Sequence, residues 1–488
     1  MKQRHTRGRS IGAWAVVTRV GLLCGVCLLS GCGIELMTTP AVLEGRAVDY
    51  LAYSHADDTG VTIPVFVAHA RRENPEETEL DRRFTADLSR SLHLGKLPVR
   101  VGTGVEADEV LAMSLADTRE AKVWLDASAE GYTSYGVLGF GRVDRLGRYD
   151  QQQELVRLFT RRSADVPLGG DAFAEAINAE LERRGSKTVT IYVHGFNTRF
   201  IDNVCRSGEL SHYLGQDGAM ISFQWPSKAR AASYFVDKAT SRNVLRHFRA
   251  LLIFLAEQTD AEEIDIVGHS AGTLVVMETL RHLSLIHAHV PDDELQARLK
   301  IGEVVLAAPD IGREEAINAT MDGAGRVPRA VTIYFSQLDS ALSLSRFLYG
   351  EERLGYAPSL VPLPIDFGEQ HGSRFTVTTA QVPVALYEQL TNGGLYVVDA
   401  TSAQRGFSLS FFGHDYFAHN PYVSSDMLLF LKHGNSPADR LLELQHALRD
   451  RDATNDESSW YFTFPEDLTR YRDDIRAYAA EFDAALAK

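Results

Sequence analysis

Ile264-Asp265-Ile266-Val267-Gly268-His269-Ser270-Ala271-Gly272-Thr273 is the stretch that decides how this chain is read. Its first four residues form a short apolar run rich in β-branched side chains, which suits a strand buried on both faces. Thr273 to Leu280 then follow a helical pattern, so the glycines and Ser270 sit on a strand-to-helix turn. Gly-x-Ser-x-Gly alone is a weak signal, and this context is what strengthens it. A nucleophile on such a sharp turn needs small residues two before and two after it, because the strained backbone brings those positions against neighbouring chain. Gly268 and Gly272 meet that need. The turn presents the hydroxyl of Ser270, and the N–H of Ala271 at the helix start faces any oxyanion that develops there.

Outward from this turn the same alternation repeats. Thr188–Val193, Met220–Phe223, Val304–Ala307, Val331–Phe335 and Leu395–Val398 are brief apolar runs bounded by Gly, Pro, Asn or Asp. Helical stretches lie between them; in one, Leu245, Phe248, Leu252 and Leu255 make a single apolar stripe. Strand and helix in alternation predict an α/β fold with a mostly parallel sheet and helices on both faces. The run Thr188–Val193 leads into His194-Gly195-Phe196-Asn197, where His194 reads as a loop-fixing residue. Downstream, Asp339 and Asp310 each follow a strand and are candidate acids, Asp310 having an alternative role as helix N-cap near Arg313. His414 and His419 are candidate bases, and local chemistry does not separate them. His282, His287 and His289 lack metal-ligand spacing. The expectation is therefore no metal and no cofactor.

Val193 to Asn197, Phe223-Gln224-Trp225-Pro226, Gly268 to Gly272, Ala308-Pro309-Asp310, Tyr334-Phe335-Ser336 through Asp339 to Leu342, Arg353-Leu354-Gly355 and Gly413-His414-Asp415-Tyr416 occur together and in this order. Jointly they resemble the bacterial α/β-hydrolase family known as domain of unknown function 900, over roughly Ile63 to Leu431. The resemblance implies an α/β-hydrolase fold and esterase- or lipase-like chemistry. It also implies Asp339 as the acid, His414 as the base, and the Phe196 N–H as partner of Ala271 in an oxyanion hole. Ser270, His414 and Asp339 would then form a triad working through an acyl-enzyme on a small-molecule or lipid ester. One stretch, about 356–394, is longer than the family pattern and is a candidate cap. The rival reading is a non-catalytic envelope binding or assembly protein on the same fold.

The composition agrees with a globular enzyme. The chain has 488 residues, 45% hydrophobic and 24% charged, which excludes disordered, collagenous and coiled-coil classes. A formal net charge of −15 argues against nucleic acid as a partner. Lys2, Arg4, Arg7 and Arg9 precede an apolar run, Val20–Leu29, that is about signal-core length and short for a bilayer span. Leu29-Ser30-Gly31-Cys32 resembles the lipobox of bacterial lipoproteins, which implies lipidation of Cys32, a membrane-anchored protein of the cell envelope and, with Gly33 following, the outer membrane facing the periplasm. Of four cysteines this leaves Cys205 alone, without an internal disulfide. The organisation expected is a signal peptide (1–31), a tether (32–60), an N-terminal extension (61–185), the hydrolase core (186–435) and a helical C-terminal segment (436–488). Arg71-Arg72 and Glu76-Glu77 read as a solvated face.

Overall fold

The computed structural model describes residues 34–46, 56–57, 60–138, 168–228, 230, 233–356, 394–404, 413–434, 436, 440, 443–446, 458–461 and 477. Along the chain its strands are β1 (Ile34–Glu35), β2 (Ala56–Asp57), β3 (Gly60–Glu73), β4 (Phe84–Val101), β5 (Trp124–Asp126), β6 (Thr133–Leu138) and β7 (Thr188–Val193). There follow β8 (Ala219–Gln224), β9 (Glu263–His269), β10 (Ile301–Ala307), β11 (Ala330–Phe335), β12 (Leu395–Asp399), β13 (Glu443–His446) and β14 (Ser458–Tyr461). All join one sheet, ordered β1-β5-β4-β3-β8-β7-β9-β10-β11-β12-β14-β13, with β2 on β3 and β6 on β4. From β3 to β14 every neighbouring pair is parallel.

Burial explains why the apolar runs became these strands. Every residue of β8, β10 and β11 is buried, so both faces call for apolar side chains, and the polar ones that remain are paired, Gln224 Nε2 donating to Ser222 Oγ at 3.2 Å and Arg329 Nε to Glu303 at 2.9 Å. Successive residues of β3 serve opposite cores. Ile63, Val65 and Val67 join Tyr192, Val267 and Val305 on one face, under the helices Phe200–Tyr213 and Pro421–His433. Phe66 and Ala68 join Ile191, Ile221 and Ile266 on the other, under Gly170–Arg184, Leu245–Gln258 and Gly272–Ile286. The stripe of Leu245, Phe248, Leu252 and Leu255 is buried there throughout.

Three expectations need correction. Residues 34–46 are not a free tether: β1 pairs with β5, and Leu36, Met37, Val42 and Leu43 are buried. Arg119 donates to the Leu36 and Met37 carbonyls at 2.8 and 2.6 Å, and the Val42 N–H donates to Ser425 Oγ at 3.0 Å. The C-terminal segment contributes strands, β14 and β13 extending the sheet beyond β12, where a charged helical pattern was expected. Arg71 is buried rather than solvated, because it follows the β-bulge after His69, where the chain turns its side chain inward. Residues 1–33, including Cys32, and residues 357–393 of the candidate cap lie outside the described residues. No helix among the described residues is long and apolar enough to cross a membrane.

Candidate active site

The carboxyl ends of β7, β9 and β10 converge on three non-glycine residues with left-handed backbone, Asn197 (φ 58°), Ser270 (φ 52°) and Ala308 (φ 48°). Such conformations cost of order 1–3 kcal/mol each and persist only where surrounding structure fixes them. Here the fixing bonds are visible. The Ser270 N–H donates to Ala307 O at 3.0 Å, and Ser270 O accepts from the Asp310 N–H at 3.2 Å and from the Thr273 N–H at 3.1 Å. Ser270 therefore stands on a strained turn between β9 and the helix Gly272–Ile286. The elbow glycines are needed for space. A Cβ on Gly272 would lie 2.3 Å from His194 O and 2.5 Å from Val193 O, and one on Gly195 would lie 2.7 Å from Ser270 Cβ.

The same contacts bring the His194–Asn197 loop against the serine. His194 fixes this loop: its ring nitrogens lie 2.7 Å from Gly195 O and 3.0 Å from Trp225 O, and the ring stacks on Trp225 at 4.8 Å. Trp225 Nε1 donates to His194 O at 2.7 Å. Burial and the charge of Arg71 push the His194 pKa down to about 3, against the two carbonyls that favour the charged ring. Thr198 Oγ1 donates to Gly195 O at 3.1 Å, and buried Arg71 donates to Thr198 O at 3.1 Å. Among the described residues no backbone acceptor engages the N–H of Phe196 or of Ala271.

Asp339 and His414 are brought together. His414 Nδ1 lies 2.6 Å from Asp339 Oδ2, and Asp339 Oδ1 accepts from the Leu342 N–H at 2.9 Å as the N-cap of the helix Ser340–Tyr349. The acid is thus oriented from one side by a helix start and presents its other oxygen to the imidazole. Burial lowers the His414 pKa, but the charge and hydrogen bond of Asp339 outweigh it, with help from Asp415 and Asp310, and raise it to about 9. Tyr416 holds the segment in place, its hydroxyl donating to Tyr334 O at 2.7 Å and accepting from the Ala308 N–H at 3.2 Å. The His414 ring lies 4.9 Å from that of His269, the neighbour of Ser270. Among the described contacts no hydrogen bond joins Ser270 Oγ to His414; in free enzymes such bonds are often long and tighten with substrate.

The alternatives fall elsewhere. Asp310 is buried, accepting from Tyr234 Oη at 2.5 Å and Ser345 Oγ at 2.7 Å, with Lys238 Nζ 3.4 Å and Arg353 Nε 3.5 Å from Oδ1. It is no helix N-cap either, since Gly312 holds that position before Arg313. His419 ends a one-turn helix, where burial and Arg206 lower its pKa, and among the described contacts none joins it to Asp339. The sequence reading missed Arg71, Trp225 and Tyr416 as supports, together with the contact of His269 Nε2 and Asp415 at 3.5 Å. The Trp225-Pro226 strand end and the Asp415-Tyr416 pair beside His414 were the available signals.

Residues 170–366 match the family described as alpha/beta hydrolase of unknown function, a narrower span than Ile63–Leu431 that stops short of His414. No curated protein matches the chain. Crystal structures of esterase B from Lactobacillus rhamnosis are similar over part of it. One, C6-C4 SN3 inhibited, is 15% identical with TM-score 0.21, covering 34% of this chain and 61% of that one. Another, of esterase B itself, is 13% identical with TM-score 0.21, covering 36% and 67%. The chain thus spans about three fifths to two thirds of those esterases. The family match over residues 170–366 and the parallel sheet with its flanking helices give this chain the α/β-hydrolase fold.

Proposed function

We propose that this protein is a serine hydrolase that cleaves carboxylic esters through an acyl-enzyme. The observation that carries the reading is the 2.6 Å contact of His414 Nδ1 with an Asp339 fixed by its own helix, beside a Ser270 held at φ 52°. A buried imidazole paired in this way takes the proton of an attacking hydroxyl, and the paired carboxylate stabilises the imidazolium that forms. The N–H groups of Phe196 and Ala271 receive the tetrahedral oxyanion, and His414 returns the proton to the leaving alcohol. Water repeats the sequence and releases the acid.

The test is turnover of short- and medium-chain p-nitrophenyl esters by the protein lacking residues 1–32, together with labelling by a fluorophosphonate. Ser270→Ala and His414→Ala should each lose about 10⁴-fold or more in kcat. If His419→Ala is the inactive variant and His414→Ala survives, the base is misassigned. A folded wild type inert to every ester and to the probe favours a non-catalytic binding role on the same fold. The lipid anchor belongs to the same proposal: Cys32 carries the lipid that holds the enzyme on an envelope membrane, and Cys32→Ser should abolish incorporation of radiolabelled fatty acid into the protein.

A further inference from the structure

We infer that His69, Glu73 and His93 form a binding site for a divalent transition-metal ion of the zinc class, on the β3–β4 ribbon beside the hydrolase site. His69 and His93 are directly opposite in the β3–β4 register, and Glu73 follows two irregularities of that ladder which swing it back toward them. One ligand atom from each of the three lies within 4.8 Å of the others. The two imidazoles stack face to face, centroids 4.8 Å apart and planes 10° from parallel, so an ion about 2.1 Å from each ligand requires the half-buried His93 ring to turn out of that stack toward Glu73.

The groups around the three are arranged as supports for ligands. The His69 Nδ1–H donates to Arg71 O at 3.1 Å, which leaves Nε2 as the ring's acceptor nitrogen. His93 Nε2 lies 3.0 Å from Ser89 Oγ, so with Ser89 accepting, Nδ1 faces Glu73 Oε2 at 4.0 Å. That separation is too long for a hydrogen bond and suits two donors on one ion. Arg83 grips the other carboxylate oxygen of Glu73 through two N–H groups, at 3.0 and 2.8 Å. Each candidate ligand therefore has its remaining polar atom tied by a fixed partner, the arrangement that orients metal ligands. Tyr132 Oη lies 3.4 Å from His69 Nε2, a long hydrogen bond to the lone pair that an ion would take over. Two imidazoles and one carboxylate select zinc, cobalt or nickel over calcium and magnesium, which prefer all-oxygen sites.

The site has a structural consequence. Arg71, two residues after His69, holds the Thr198 and Ser227 carbonyls that support the His194–Asn197 loop. An ion that locks β3 to β4 would stiffen the support of that loop.

The experiment uses untagged protein lacking residues 1–32, stripped with a chelator and exposed to zinc(II) or cobalt(II) alone. Wild type should retain about one zinc per chain through buffer exchange, show visible cobalt(II) d–d bands and melt at a higher temperature with zinc. His93→Gln and Glu73→Gln, both at half-buried positions, should fold yet lose all three signals, and Ser89→Ala should weaken zinc binding about ten-fold. Glu263→Gln, in the separate carboxylate group with Asp265 and Glu303, should bind as wild type. Wild type that retains no more zinc than the Glu73→Gln variant, or zinc lost in Glu263→Gln instead, overturns the assignment.

Discussion

At the scale of single residues, the two aspartates that follow strands in this chain separate by their surroundings. Asp339 has one oxygen on a helix start and the other on an imidazole, whereas Asp310 sits between Lys238, Arg353, Tyr234 and Ser345 with no histidine in contact. Asp339→Asn should therefore lower kcat by about 10⁴-fold with modest loss of stability. Asp310→Ala should leave buried Lys238 without its carboxylate and Arg353 with Glu351 alone at 3.8 Å, and cost about 3 kcal/mol in urea unfolding. Equal kinetic loss in both variants would make Asp310 part of the triad. His414 also sets a pH window. A base must be neutral, so kcat/KM should climb with pH up to about 9, and Asp339→Asn should move that limb to lower pH. The sign for stability is the reverse: a histidine raised from 6.5 to about 9 on folding stabilises fully below 6.5 and loses that contribution as pH rises through 9. The stability gap between wild type and His414→Gln should accordingly shrink between pH 6.5 and 9. Sequence pattern reached Ser270 unaided, because its signal is local. It could not separate His414 from His419, five residues apart on one short segment, because only the packing of Tyr416 against Tyr334 and Ala308 decides which ring faces Asp339.

At the scale of elements, the β9-turn-helix unit works by close approach. Gly272→Ala places a methyl against two backbone carbonyls that belong to β7 and its loop, and backbone cannot swing aside as a flexible side chain does. The variant should lose about 1–3 kcal/mol, read from denaturant unfolding, and lose ester turnover in the surviving folded fraction because the oxyanion donors move apart. Wild-type stability and rate in Gly272→Ala would mean that the loop and the elbow are not in contact. The six central strands were legible because each holds a short, mostly apolar run between turn residues, as a parallel sheet covered by helices requires. β13 and β14 were not: Glu443–His446 and Ser458–Tyr461 carry mixed polarity, and they become strands because β12 offers an unpaired edge.

At the scale of the whole molecule, the residues near the N-terminus hold the site rather than trail from it. The Thr38 N–H donates to Ala418 O at 3.1 Å, within the short helix that follows His414, while Arg119 and Glu209 hold Leu36 and Met37 from the other side. Val42→Asp should therefore destabilise the fold by about 3 kcal/mol or more, by forcing a charge into the core; a free tether would show no change in the same melt. The sequence by itself determined the parallel sheet, the elbow serine and the order of nucleophile, acid and histidine candidates, since each depends on residues within one strand, turn or helix. Tertiary structure decided what depends on distant partners. It chose Asp339 over Asp310 as the partner of His414, buried Arg71 beneath the loop that follows β7, and drew residues 34–46 into the core. It also set His69 opposite His93 through strand register, a meeting that no spacing along the chain announces, because the pairing of β3 with β4 is fixed by cooperative packing of both sheet faces.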